Sequence, residues 1–398
     1  EDDKNNLSPR VGFAWDFMGN GRSVLRGGYG IYYDQSFLNV PLFAVQQANP
    51  QIYATFLNDA DNLNINSPPP AIPRPLTNPL PGSRGRMLDP DFEAPYTQQW
   101  NLGYAQEIGK NMAVEFDYVH ILGLHEFTGL DINPRTGPLL GADRTDPAGA
   151  FPRVLAPQFA AHAAELIAAF GSAAPFARIS VAQSDGRSRY DAFTASFKKR
   201  YADKFQLNMH YTLSKSQGWF GISQDFGLAP QNAFNKFDPI NFGPTGEDER
   251  HRFVFSGIFD LPWDFQVAPI FQVASARPYS IFPDCVCDIN RDGVTNDRDS
   301  VNPGVDDQHK LPLNTERGDN FTQLNVRVSK FFKWGENKKL GLFFEAFNVF
   351  NTGNYGNQFQ NVTGEPDFGR PVNFFGATGF SEPLGIPFQA QLGVRFSF

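Results

Sequence analysis

The chain has 398 residues, of which 15% are aromatic, and it carries a formal net charge of −8 with a pI near 5.3. This acidic balance, without any Lys/Arg-rich block, argues against a nucleic-acid partner, and no run of about eighteen apolar residues is present to form a transmembrane helix. The two cysteines, Cys285 and Cys287, are separated by one residue and poorly placed to bridge each other, so no disulfide framework is inferred.

Short segments that alternate apolar and polar residues recur along the chain, joined in pairs by tight polar turns. Period-two alternation is typical of strands with one apolar face, and such pairs are predicted hairpins. Arg10–Asp16 and Ser23–Tyr33 form the first pair, on either side of a Gly-Asn-Gly turn. Later pairs are Trp100–Tyr104 with Val114–Tyr118, Phe193–Lys198 with Gln206–Ser214, Arg252–Asp260 with Phe265–Ala274, and Leu324–Ser329 with Leu340–Asn348.

The last eleven residues, Phe388–Phe398, form the clearest of these strands, because every second residue from Phe388 to Phe398 is apolar. A soluble protein rarely ends on an exposed amphipathic strand, since an open sheet edge invites aggregation. A membrane barrel pairs its last strand with its first and so has no edge. Few hydrophobic residues overall (mean hydropathy −0.37) but 41 Phe is also typical of alternating strands with aromatic girdles.

The predicted loops complete the argument for the fold class. Four long segments separate the hairpins, at Asp34–Tyr96, Leu122–Arg189, Gln217–Arg250 and Ala276–Phe321. Short turns on one side and long loops on the other are the outer-membrane arrangement, and soluble domains seldom hold four such loops. The sequence therefore predicts an all-β fold, an antiparallel transmembrane outer-membrane β-barrel with about eleven strands here and long extracellular loops, embedded in outer-membrane lipid. A soluble all-β sandwich with insertions is the alternative.

One loop segment predicts a helix. Pro157 to Phe170 carries apolar residues at helical spacing, with Pro157 near its start and Gly171 just beyond its end. We expect a small helix that packs within a surface loop.

The sharpest chemical motif lies between Asp288 and Asp299. Its oxygen-bearing residues occupy positions 1, 3, 5, 9 and 12 of a loop with glycine at position 6, which is the spacing of an EF-hand-like calcium loop. Asp299 stands where the EF-hand has Glu, and prolines flank the motif instead of helices. An Asp/Asn-rich turn that stays solvated is the alternative. The predicted ligands of a structural Ca²⁺ are Asp288, Asn290, Asp292, the Val294 carbonyl, Asn296 and Asp299.

No constellation of residues favours catalysis. Gly27–Gly30 lacks the strand–helix context of a phosphate loop, and no nucleophile-elbow motif marks a hydrolase. His120 and His125 are five apart, so on a regular strand they face opposite sides and do not chelate a metal together. The protein is therefore predicted not to be an enzyme.

Several segments occur in a fixed order along most of the chain: Asn5–Asp16, Val24–Asp34, Tyr211–Ser216, Arg250–Phe253, Ala276–Ser280, Phe344–Asn351 and the aromatic terminus. In that order they resemble the carboxy-terminal half of the barrel of TonB-dependent receptors. The resemblance is closest to the Oar-like, carboxypeptidase-regulatory-domain-bearing receptors that are frequent in acidobacteria. The family's amino-terminal regulatory domain, TonB box, plug and first strands have no counterpart in this sequence.

This resemblance implies that residues 1–398 are the carboxy-terminal part of a 22-stranded barrel in the cell outer membrane of a diderm bacterium. It implies a missing amino-terminal barrel and plug segment, or a partner chain, and the inner-membrane TonB complex as partner of the full-length receptor. The implied function is uptake of a ligand. A structural or surface-interaction barrel without active transport is the alternative. By the same resemblance, Phe398 is expected to act as an assembly signal for the barrel-assembly machinery.

Overall fold

The computed structural model describes residues 6–34, 83–142, 145–147, 149–170, 172–174, 176–219, 232–283, 288–295, 297–298, 311–334, 338–376 and 384–398. Among them it contains the helices α1 (Ala156–Ala161) and α2 (Ala163–Phe170). Neither these nor any other described helix combines the length and apolar character required to cross a membrane. The strands are β1 (Arg10–Asp16), β2 (Ser23–Tyr33), β3 (Ser83–Leu88), β4 (Tyr96–Glu107), β5 (Met112–Asp131), β6 (Phe176–Ala202), β7 (Phe205–Trp219), β8 (Phe242–Pro244), β9 (His251–Leu261), β10 (Phe265–Ala274), β11 (Pro278–Tyr279), β12 (Glu316–Arg317), β13 (Phe321–Trp334), β14 (Lys338–Phe347) and β15 (Gln389–Ser397).

Eleven of these strands form one continuous antiparallel sheet in the order β1-β2-β4-β5-β6-β7-β9-β10-β13-β14-β15. Short β3 adds to β6 in parallel, β8 adds to β7, and β11 pairs with β12 in a separate ribbon. The all-β antiparallel fold and its predicted number of strands are thus confirmed. Within the described residues the sheet stays open, because β1 pairs only with β2 and β15 only with β14.

The predicted tight turns join neighbouring strands at one end of the sheet. Between β6 and β7, Asp203 and Lys204 have φ values of 53° and 69°. Between β9 and β10, Trp263 and Asp264 have φ values of 59° and 57°. Two successive residues with positive φ match the right-handed twist of the flanking strands, which is why such turns favour hairpins. These turns define the turn end of the sheet, and the long connections lie at the opposite, loop end.

Two strands are longer than the sequence predicted. β5 has 20 residues and β6 has 27, whereas roughly 9–11 residues of a tilted strand cross a bilayer. The predicted loop from Leu122 to Arg189 is therefore wrong at both ends, because β5 continues to Asp131 and β6 already begins at Phe176. A β-bulge at His125, whose φ is 54°, shifts the register and breaks the alternation by which strands are recognised.

The predicted helix at Pro157–Phe170 is confirmed in position but wrong in continuity. α1 ends at Ala161, His162 leaves the helical region with φ −112° and ψ 20°, and α2 starts at Ala163. Nothing in the sequence or the structure explains the break.

The register gathers apolar side chains on one face of the sheet, which we call the apolar face. Leu25 lies opposite Tyr104, Tyr104 opposite Phe116, and Phe344 opposite Leu392. These side chains are not packed in a core, since Phe116 is 41% exposed and Leu392 is 84% exposed. Exposure of so many large apolar groups is stable only against lipid or another apolar surface, which agrees with a membrane sheet.

Candidate functional site

The opposite face of the sheet, the polar face, carries a network of charged side chains that spans three strand pairs. Arg26 of β2 places Nη2 2.9 Å from both carboxylate oxygens of Asp117 and 3.2 Å from Glu115 Oε2 on β5. Lys198 of β6 donates from Nζ to both oxygens of Glu115 at 2.9 Å. Two cations and two carboxylates thus neutralise each other on a wet surface, as in the lumen wall of a barrel.

Hydrogen bonds between neighbouring strands continue this pattern across the polar face. They join Thr194 to Thr212 at 3.0 Å, Ser196 to His210 at 2.9 Å and Arg252 to Gln272 at 3.1 Å. Near the turn end, a concavity of about 550 Å³ is lined by Arg22, Gln106, Glu107, Glu115, Lys198 and Gln206 among others. This surface offers many donors and acceptors and suits passage or contact with a hydrophilic solute.

Aromatic rings line the turn end of the apolar face. The ring of Trp334 lies 5.9 Å from that of Phe396, and Phe396 lies 5.8 Å from Phe398. Phe398 follows β15 directly and is 92% exposed. Trp and other aromatic side chains at this level form the girdle typical of the membrane boundary. The structure therefore places Phe398 beside Phe396 at the turn end of the apolar face, and its role in assembly stays a prediction.

At the loop end, the described residues of 288–298 lie where the connections after β5 and after β7 meet; we call this segment the loop junction. The carbonyl of Asp292 accepts a hydrogen bond of 2.6 Å from the N–H of Arg135. Arg298 donates to Asn241 Oδ1 at 2.7 Å and to the Ile240 carbonyl at 3.2 Å. The loop junction therefore ties two other loops together.

Within the loop junction, four of the six predicted calcium ligands lie in one tight turn. The N–H of Gly293 donates to Asp288 Oδ2 at 2.9 Å, and that of Val294 donates to Asp292 Oδ1 at 2.8 Å. The N–H of Asp292 donates to Asn290 Oδ1 at 2.9 Å. Asp292 is fully buried, and this burial, aided by the nearby Asp297 carboxylate, raises its pKa to about 8.

Two of the six predicted ligands, Asn296 and Asp299, lie outside the described residues, as do Cys285 and Cys287. Among the residues that are described, no three His, Cys, Asp or Glu side chains form a group placed to hold a metal ion. The structure thus brings Asp288, Asn290, Asp292 and Val294 together, and calcium remains a prediction.

Two residues that hold the loop end together, Lys236 and Asn133, were not predicted from the sequence. Lys236 donates to both carboxylate oxygens of Asp185 at 2.6 Å and to Gln183 at 2.7 Å, which fixes the connection after β7 to the extended part of β6. Burial lowers the pKa of Lys236, and the bond to Asp185 opposes that shift. Asn133 is fully buried and donates to the Ala177 carbonyl at 2.9 Å. Single polar residues in irregular loops carry no periodic signal by which such anchors could be found.

The family model described as an outer membrane beta barrel domain matches residues 1–378. A search of curated proteins found no match.

Among solved structures, the outer membrane transporter YddB from Escherichia coli is 16% identical with a TM-score of 0.55, and the match covers 87% of this chain and 37% of that one. The ferric enterobactin receptor of Pseudomonas aeruginosa is 11% identical over 98% of this chain and 40% of its own, with a TM-score of 0.48. The FrpB iron transporter from Neisseria meningitidis is 12% identical over 99% of this chain and 39% of its own, with a TM-score of 0.47. The chain thus spans about two fifths or less of the length of these structures.

Proposed function

The chain belongs to the outer membrane beta barrel domain family, and from this premise we propose that residues 1–398 form the carboxy-terminal part of the barrel of an Oar-like TonB-dependent receptor. The protein lies in the outer membrane. Its proposed function is TonB-dependent uptake of a ligand, with no catalytic step. The resemblance of several collinear segments to the receptors of acidobacteria supports the subfamily, and the YddB-like fold supports the barrel type.

The observation that carries the proposal is the open sheet with one apolar and one polar face. In hydrocarbon, each unsatisfied backbone group costs several kcal/mol, so β1 and β15 need partners along their outer edges. We propose that further strands complete a barrel of about 22 strands, supplied with the plug by an amino-terminal segment or by a partner chain. The matched structure of YddB, of which this chain covers 37%, supports this completion.

In this arrangement the loop end meets the ligand outside the cell, and the polar face forms part of the lumen wall. The charged network of Arg26, Asp117, Glu115 and Lys198 lies where a solute would pass the turn end. An inner-membrane TonB complex would act on the plug from the periplasmic side. The short turns of the sheet face that side, in agreement with the barrel rule that periplasmic turns are short.

The test uses the full-length protein in its native outer membrane. We expect its intact mass to exceed that of residues 1–398 by an amino-terminal segment, and we expect in-cell cross-linking to join it to the TonB protein. A mutant without the gene should lose uptake of at least one scarce ligand. A mature protein that begins near residue 1, gives no cross-link to TonB and supports no uptake would instead identify a structural or surface-interaction barrel.

A further inference from the structure

The tight turn of the loop junction buries carboxylate oxygens that nothing described in the protein satisfies. Asp292 Oδ2 and Asp288 Oδ1 are both buried without a hydrogen-bond partner among the described residues. A buried carboxylate oxygen without a donor or counter-ion is costly, so its position calls for a ligand. We propose that this turn binds a calcium ion through the side chains of Asp288, Asn290 and Asp292 and the carbonyl of Val294. The proposal is independent of ligand uptake.

The backbone of the turn holds one oxygen of each aspartate by a main-chain hydrogen bond. Gly293 has φ +94°, a conformation that residues with a Cβ rarely adopt. This conformation lets the Gly293 N–H reach back to Asp288, so that the first and sixth positions of the motif approach each other. One oxygen of each aspartate is thereby held by a backbone N–H, and the other is left for a cation.

The charge around the turn is compatible with a divalent cation. The carboxylates of Asp131, Asp288 and Asp297 all repel the charged form of Asp292, which a cation would offset. Arg135 and Arg291 favour the charged form of Asp288. Three arginines near the turn donate to carbonyl groups, among them Arg291, whose Nη1 donates to the Asp288 carbonyl at 2.5 Å. Arg153 Nη1 donates to the Asn133 carbonyl at 2.6 Å, and Arg135 Nη1 donates to the Phe151 carbonyl at 2.7 Å.

The choice of calcium follows from the donor set. All proposed donors are oxygens on one short turn, and Ca²⁺ accepts six to eight oxygens at roughly 2.3–2.6 Å in flexible geometry. Mg²⁺ requires near-ideal octahedral geometry and keeps several waters, which suits a buried turn less well.

Binding would stabilise more than the turn itself. The carbonyl of Asp292 already accepts from the Arg135 N–H, and a Cβ on Gly137 would come within 2.6 Å of the Asn290 carbonyl, so these loops are in close contact. Neutralising the carboxylates would therefore hold the connection after β5 against the loop junction. We infer that calcium orders the loop end as a unit.

The experiment measures calcium binding to the full-length protein in detergent after chelator treatment, by titration calorimetry with Ca²⁺ alone and with Mg²⁺ alone. Asp292→Asn and Asp288→Asn should each weaken one Ca²⁺ site by about tenfold or more, as loss of metal-site groups does elsewhere. Asp319→Asn removes the same charge from an exposed position between β12 and β13 and should leave binding unchanged.

Limited proteolysis of the unmutated protein is a second test, and its result does not depend on whether any variant folds. We expect chelator to expose cleavage between Ala276 and Phe321 and between Asn133 and Phe176, and millimolar Ca²⁺ to suppress it. Identical cleavage with chelator and with Ca²⁺ would overturn the proposal. So would unchanged Ca²⁺ binding in Asp292→Asn, and equal occupancy by Mg²⁺ would overturn the assignment to calcium.

Discussion

Arg26 and Asp117 form an ion pair across an intervening strand, because the residue between them on β4 is Gly103. Gly103 lies opposite both partners in the register of β2, β4 and β5. A Cβ at Gly103 would come within 2.9 Å of Arg26 Nε and would also overlap the Asp117 carboxylate. The glycine therefore leaves the space in which the two side chains meet on the polar face.

The first prediction follows from this contact. Gly103→Ala should displace Arg26 or Asp117 and destabilise the folded protein by about 1–3 kcal/mol, the usual cost of overpacking. The measurement is denaturant unfolding of the full-length protein in detergent. Gly393→Ala is the matched control, because a Cβ there would make only an ordinary contact of 3.7 Å with Phe343. Equal stability of the two variants would show that the network can move aside without cost.

The second prediction tests which face of the sheet meets lipid. Leu392 lies on the apolar face of β15, while its neighbour Gln391 lies on the polar face and contacts Glu345. Leu392→Arg should cost about 2–4 kcal/mol, as arginine does near the bilayer midplane. Gln391→Arg should be tolerated, since it gains a carboxylate partner. Unfolding in lipid vesicles measures both, and the reverse order of stability would assign the faces the other way.

The third prediction concerns assembly. Deleting Phe398, or replacing it by Glu, should lower the amount of folded protein in the outer membrane, because we expect the aromatic terminus to be recognised by the barrel-assembly machinery. Quantification of heat-modifiable protein in outer-membrane fractions provides the measurement. Phe388→Ala removes an aromatic ring just before the other end of β15, where Phe388 is 47% exposed, and should leave the yield normal. A normal yield of folded protein without Phe398 would show that Phe398 is not an assembly signal.

The fourth prediction concerns the loop end. Lys236→Met removes the ammonium group that holds Asp185 and Gln183. The loss should weaken docking of the 232–244 segment by about 1–2 kcal/mol, a value reduced from that of a buried pair because Asp185 is 42% exposed. Hydrogen exchange of that segment should rise in proportion. Lys333→Met, which breaks an exposed pair with Asp264 at the turn end, is the control and should leave the 232–244 segment as protected as before.

The parts of the strands that cross the membrane could be predicted from sequence, whereas the parts that extend beyond the membrane could not. β1 and β2 have the bounds that alternation indicated, because lipid on one side and water on the other impose a period of two. Beyond the membrane β5 and β6 no longer have lipid on one face. Ala182 of β6 is instead buried against Leu88, Phe92 and Phe127, so the period-two constraint disappears. The bulge at His125 adds a further break, and the opposite-face argument for His120 and His125 does not apply across it.

The candidate site was only partly predictable for a related reason. The turn that begins at Asp288 could be predicted because it depends on local sequence, namely the spacing of short polar side chains around Gly293. The bond from Asn133 to Ala177 joins residues 44 positions apart in sequence, and the bond from Lys236 to Gln183 joins residues 53 positions apart, through loops without periodic pattern. Such pairs are set by how loops pack on one another, which no local motif encodes.

β5 and β6 are long enough to extend as a two-stranded ribbon beyond the outer surface of the membrane. β6 alone has 27 residues, more than twice the roughly 11 that a bilayer requires, and β5 stays paired with it beyond the bulge. At about 3.3 Å per residue, the residues beyond those that cross the bilayer extend the tip of the ribbon well clear of the lipid headgroups. Nothing lies within 4 Å of the Cβ position of Gly141, in the connection that joins β5 to β6. We expect a peptide tag inserted at Gly141 to be held away from the membrane by this ribbon and to bind antibody on intact cells.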